Sequence, residues 1–264
     1  MQFFSCLISL VVIFVSAVTA VAQPAYQYPD DPDVPVLKVN DVYRTGGDSP
    51  PLVLIYGDGR IVKPVSDNPE QDFVITVDQE RLNTLLSKII EDNQFLEIDA
   101  EDIKDEVLTA RKRSRLRPGF DFRIELNLAD QQHVVAVGHS WVYQRLSRGR
   151  TRHADAERFQ QFLNIEELSI KLSRWAMIGG EEAMQTILEA ANKKTQEEYP
   201  GAPKISEAKI LSLKSENGRA ILQFGTPKTG DIPALHVIVG KNKGEEDFDT
   251  VIKINKPRQF HGGR

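Results

Sequence analysis

The chain has 264 residues, 41% of them hydrophobic and 27% charged, with a formal net charge of -5. That balance excludes wholesale disorder, collagen-like repeats and a multi-span membrane protein, and it gives no overall attraction to nucleic acid. The length suits one large or two ordinary domains with a core of normal size.

Residues 1–22, MQFFSCLISLVVIFVSAVTAVA, carry no charged side chain. The apolar run 7–15 has the length of a signal-peptide core, and Ala20-Val21-Ala22 supplies a small-x-small cleavage site. The expectation is cleavage after Ala22, an exported chain (periplasmic or secreted) beginning at Gln23, and no transmembrane span in it. An uncleaved N-terminal anchor is the other reading, because about 20 apolar residues can cross a bilayer. The single cysteine, Cys6, lies inside this segment. A cleaved chain therefore has no disulfide, no thiol catalysis and no Cys-ligated zinc.

Residues 23–35 carry Pro24, Pro29, Pro32 and Pro35 and read as an extended linker. Antiparallel β structure is expected next. Strands at 52–56 and 60–62 flank Asp58-Gly59, a hairpin signal because these residues tolerate positive φ. A third strand is expected at 73–77. Asp78 marks a helix start, and Leu82, Leu85, Leu86, Ile89 and Ile90 form one apolar helical stripe. A shorter helix is expected at 101–110. The segments 120–128 and 133–143 read as a second hairpin, with Phe122, Ile124, Leu126 and Leu128 alternating with Arg123, Glu125 and Asn127. A helix at 154–178 stops at Gly179-Gly180. A second unit then offers a helix through Ala183, Met184, Ile187, Leu188 and Ala191, followed by strands at about 205–213, 219–224, 234–239 and 250–254. The reading is an α+β protein: signal peptide 1–22, linker 23–35, an α+β domain 36–178, a smaller domain 179–256 of one helix on a four-stranded meander, and a loose tail 257–264.

Two stretches carry a family resemblance. LVLIYGDGRIV (52–62) and IELNLADQQHVVAVGHS (124–140) resemble the paired hairpins of uncharacterised exported bacterial α+β proteins. In those a YGDGR turn precedes a helix, and a later strand pair returns through an Asp/Gly-x-x-His-x-Val-x-Val pattern, here Asp130, His133, Val135 and Val137. The resemblance implies export and an α+β fold, and no activity. The second unit is similar in layout to cystatin-like and nuclear-transport-factor-like modules, and layout alone assigns no function.

The chemistry-bearing residues are sparse. Gly138-His139-Ser140-Trp141-Val142 resembles a nucleophile elbow, but Val142 stands where that turn needs its closing glycine. Of the five histidines, His133 and His139 share strand parity but lie about 20 Å apart at the rise of a strand, too far for one metal. His153, His236 and His261 are scattered. Adjacent carboxylates such as Glu181-Glu182, Glu197-Glu198 and Glu245-Glu246 read as solvated charge, and no phosphate-cradling pattern exists. No catalytic residue, metal or cofactor is expected.

One asymmetry stands out. Residues 111–158 hold eleven Lys or Arg against five acids; besides Arg123 and Arg158 they form two clusters, Arg111, Lys112, Arg113, Arg115 and Arg117, then Arg145, Arg148, Arg150 and Arg152. They flank the second hairpin and would meet at one end of it. The expected reading is a patch for an anionic polymer, a lipid headgroup or an acidic protein surface, with no nucleic acid partner. The sequence therefore favours a non-catalytic binding or structural-interaction module. The rival is a small secreted hydrolase with a spatially assembled site near Ser140.

Overall fold

The computed structural model describes residues 26–42, 50–66, 68–103, 106, 121–138, 157–216 and 218–254. The expected signal segment, Ser140, His139, His153, His261, the tail and all nine residues of the two basic clusters lie outside these.

The first layer is a six-stranded antiparallel sheet, and its apolar pattern explains why. Strands β1 (Leu37–Val42), β2 (Val53–Ile55), β3 (Arg60–Lys63) and β4 (Phe73–Thr76) run as a meander. After α1 (Gln79–Ser87), β5 (Asp121–Asn127) and β6 (Gln132–Gly138) return beside β1. The order is β4-β3-β2-β1-β5-β6. Leu37 pairs with both Ile55 and Leu126, and Val39 with both Val53 and Ile124. These side chains share one face and are fully or almost fully buried. The opposite face carries Lys38, Arg123 and Glu125, with both cations paired to the Glu125 carboxylate (3.8 and 2.8 Å). One packed and one polar face is the ordinary economy of an antiparallel sheet.

In this sheet the expected and observed structure differ at the central strand and at the first turn. The central strand β1 was not foreseen: Asn40 and Asp41 are poor strand formers, and only pairing on both sides makes LKVNDV a strand. The turn between β2 and β3 is longer than a two-residue Asp-Gly hairpin. Gly59 donates its N–H to the Tyr56 carbonyl (3.0 Å) and Tyr56 to Arg60 (2.9 Å), and of these residues Gly59 alone carries a positive φ, +88°. This is a turn closed by a glycine bulge.

Residues 26–35, expected as a linker, lie against the first layer. The Ala129 N–H donates to the Gln27 carbonyl (2.9 Å), and Asn127 Nδ2 to the Pro35 carbonyl (2.8 Å). The Tyr26 hydroxyl donates to Glu91 Oε1 (2.7 Å), and the Tyr28 hydroxyl accepts from Gln79 Nε2 (2.7 Å) while donating to Asn83 Oδ1 (3.2 Å). Proline keeps this strap extended; Tyr28 fastens it to α1 and Tyr26 to Glu91, just beyond that helix.

Asp78 caps α1 by accepting from the Arg81 N–H (2.7 Å). The helix widens to a π turn at Lys88–Asp92, where Asn93 Nδ2 closes onto the Lys88 carbonyl (2.6 Å), and Gln94 at φ 48° ends it. The expected stripe is confirmed: Leu82, Leu85, Leu86 and Ile89 are buried and Ile90 half-buried. Residues 100–103 and 106 are helical. Glu106 caps the next helix from afar, its carboxylate accepting from the N–H groups of Arg158 (3.3 Å) and Phe159 (3.0 Å). That helix, α2 (Glu157–Ile178), packs on β2, β3 and β4 and is buried on more than one side.

At Gly179-Gly180 the chain turns into α3 (Glu181–Glu198). The four-stranded meander follows as β7 (Ile210–Glu216), β8 (Arg219–Thr226), β9 (Leu235–Asn242) and β10 (Phe248–Ile254), each pairing with the next. The helix lies across β9 and β10, as its order in the chain suggested. The first of these strands starts later than the expected 205. Asn192 claims both backbone groups of Ile205, accepting from its N–H (2.7 Å) and donating to its carbonyl (2.9 Å), so Ile205 cannot join a ladder. The buried apolar residues form one continuous cluster, from Leu37 and Ile124 through Phe162, Leu172 and Ile178 to Met184, Leu222 and Val237. Among the described residues no helix is long and apolar enough to cross a membrane.

The strap gives a pH-dependent prediction. Burial, and the carboxylate of Glu91 beside it, push the Tyr26 phenol from 10.0 up to about 12. The neutral phenol is thus favoured by the folded chain. Its stabilising contribution is complete below pH 10 and is lost as pH rises through about 12. The Tyr26→Phe chain is expected to lose a phenolate absorbance step near pH 12 and to show a smaller alkaline loss of stability over that window. An unchanged titration curve would refute this role.

Candidate binding cleft

The rigid elements leave a cleft of about 740 Å³ between the β4 edge, the α2–α3 elbow and the β9–β10 turn. That volume lies within the roughly 300–1,000 Å³ range of ligand sites. Its floor is apolar: Phe73, Ala176, Met177, Ile178 and Ile187 are buried, and Phe248 is half-buried. Val74 forms a wall and is 50% exposed.

The rim is acidic. Glu70, Asp72, Glu182, Glu245 and Glu246 line it against two cations, Lys241 and Lys243. Both ammonium groups are already used within the protein: Lys241 Nζ donates to the Glu245 carbonyl and Lys243 Nζ to the Glu70 carbonyl. The second bond ties the β9–β10 turn to the 3-10 turn Pro69–Gln71 before β4 and holds two walls of the cleft together. Asp72 Oδ1 accepts from the Val65 N–H (3.0 Å), and Glu245 Oε2 accepts from Asn242 (2.7 Å). The carboxylates of Glu70, Glu182 and Glu246 have no partner among the described residues. The elbow behind them is braced by the Arg81–Glu181 ion pair, with Arg81 and Lys171 both stacked on the Trp175 ring (5.6 and 4.4 Å).

The residues singled out from sequence sit elsewhere. His133 bonds through Nε2 to the Ile98 carbonyl (3.0 Å) and meets Phe95 edge-on at 5.1 Å, which accounts for it structurally. His236 is a half-buried strand residue of β9. Among the described residues no cluster of three or more His, Cys, Asp or Glu is placed to hold a metal ion. Glu181 is taken by Arg81, whereas its neighbour Glu182 faces the cleft. Of the basic clusters only the flanks are described. Asp121 pairs with Gly138, so the chain before β5 and the chain after β6 leave the sheet at the same end. The cleft itself was not anticipated, because its lining comes from segments far apart in the chain. One signal was present: Phe73 to Val77 is apolar or β-branched at every position, with no polar alternation, yet Val74 faces outward.

Comparison with known proteins matches the chain to no protein family, no curated protein and no solved structure.

Proposed function

We propose that the chain is an exported, non-catalytic binding module, and that the cleft beside β4 receives a basic, partly apolar ligand. The observation that carries this is an apolar floor beneath three carboxylates that have no partner among the described residues, in a cleft whose described lining holds no histidine, serine or cysteine. Carboxylates spread along a rim attract cations without activating a nucleophile. Export follows from the uncharged apolar segment 1–22 and its Ala20-Val21-Ala22 site. A mature N-terminus at Gln23 is expected, and one at Met1 would overturn cleavage.

The binding test is calorimetric titration with two blocked hexapeptides, one alternating lysine with valine, the other glutamate with valine. The lysine peptide is expected to bind and the glutamate peptide not. Glu70→Gln, Glu182→Gln and Glu246→Gln together remove three exposed charges, and a roughly tenfold loss of affinity is expected, shrinking as salt is raised. Equal binding of the two peptides would overturn the reading.

A further inference from the structure

We propose that the cleft takes its ligand as an added β-strand: an extended segment of a partner protein, alternating basic with apolar residues, pairs with the free edge of β4. This rests on the binding reading above and adds the mode of capture and the class of partner.

The β4 strand ends the six-stranded sheet. Its ladder to β3 runs from Lys63 opposite Phe73 to Arg60 opposite Thr76, and beyond it the Val77 N–H donates to the Gly59 carbonyl (3.0 Å). In an antiparallel ladder, pairs that exchange hydrogen bonds alternate with pairs that do not. Counting back from Val77, residues 75 and 73 spend their N–H and carbonyl groups on β3. Val74 and Thr76 turn theirs to the outer edge, where no strand among the described residues pairs with them.

An unpaired edge is a template for another strand, and proteins usually blunt it with charge or proline. Here the edge shows Val74, half exposed, at the wall of the cleft. An incoming strand gains main-chain bonds from Val74 and Thr76, which give affinity without reading sequence. Its alternate side chains supply the specificity. The set on the face of Phe73 meets the apolar floor there and at Ile187, and the rim of Glu70, Glu182 and Glu246 borders the cleft that the strand enters. Charge complementarity makes the other set basic, since five carboxylates line the cleft against two ammonium groups.

Two N-methylated forms of the lysine–valine hexapeptide test this, one methylated on the lysine amides, the other on the valine amides. Successive residues of a strand turn their backbone groups to opposite edges, so only one set can face β4. One form is expected to lose at least about tenfold in affinity, the worth of two hydrogen bonds, and the other to stay within about threefold of the parent. Equal loss or equal retention in the two forms overturns strand addition. If the carboxylate variants still weaken such a peptide, the binding reading stands without it. If the parent peptide does not bind at all, the binding reading fails first. Sedimentation of the free chain is expected to give a monomer. A dimer that the peptide does not dissociate would assign the edge to a second copy and overturn the partner.

Discussion

Replacing Gly59 by alanine is expected to destabilise the protein by about 2–4 kcal/mol, lowering its melting temperature by roughly 5–15 °C. Two effects add. The residue sits at φ +88°, where a Cβ costs about 1–2 kcal/mol. A Cβ there would also stand 2.2 Å from the carbonyl oxygen of Val77, a backbone atom that cannot rotate away. To relieve the overlap, the end of β4 must separate from β3, breaking the bond from the Val77 N–H to the Gly59 carbonyl (3.0 Å) and disturbing the Asp78 cap one residue on.

The second effect is separable by a control. Gly244, in the β9–β10 turn, also has a positive φ (+78°), but a Cβ there meets nothing within 4 Å. Alanine at Gly244 therefore carries only the conformational cost, offset by the roughly 0.4–1 kcal/mol that alanine gains by restricting the unfolded chain. A net loss of no more than about 1.5 kcal/mol is expected there. Thermal unfolding of both variants decides the matter. Should Gly59→Ala melt as Gly244→Ala does, the close approach of Val77 is not what fixes this hairpin.

What was legible in the sequence follows the range of the interactions that made it. The Asp58-Gly59 turn, the Asp78 cap, the stripe from Leu82 to Ile89 and the Gly179-Gly180 break are settled within a few residues, and each was placed from local pattern. The alternation of Phe122, Ile124 and Leu126 likewise marked β5 and its buried face. Failures lie where a distant partner overrides local preference. The proline-rich strap folds back because Tyr28 reaches α1 and Tyr26 the π turn that follows it, more than fifty residues on. Asn192 takes the backbone of Ile205, thirteen residues away, and delays β7. The cleft depends on contacts such as Lys243 to Glu70, separated by 173 positions, so no spacing rule could assemble it. Its acidic residues looked like solvated charge one at a time, and they gain meaning only around a shared apolar floor.

Phe162→Ala is expected to cost about 3–5 kcal/mol, or roughly 10 °C of thermal stability, the usual price of emptying a fully buried aromatic site. Phe162 is 0% exposed on α2 and meets Phe122 of β5 edge-on at 6.0 Å, so it joins the helix to the six-stranded sheet. The cavity would open between two rigid elements, α2 and the sheet, which limits how far the site can collapse to refill it. Adding Phe122→Ala should then cost less than its effect alone, since the two rings border one cavity and the loss is shared. By contrast Val134→Ala, on the outer side of β6 with 38% exposure, should stay within about 0.5 kcal/mol. The same substitution also separates core from cleft. Fifteen residues of α2, about 22 Å of helix, divide Phe162 from Met177 in the cleft floor. Well below its melting temperature the Phe162→Ala chain should therefore bind the lysine–valine peptide within about twofold of the parent, since neither the floor nor any hydrogen bond to the β4 edge is removed. A large fall in affinity accompanying the fall in stability would mean that the cleft is shaped by the packing of the whole helix and not by its last turn alone.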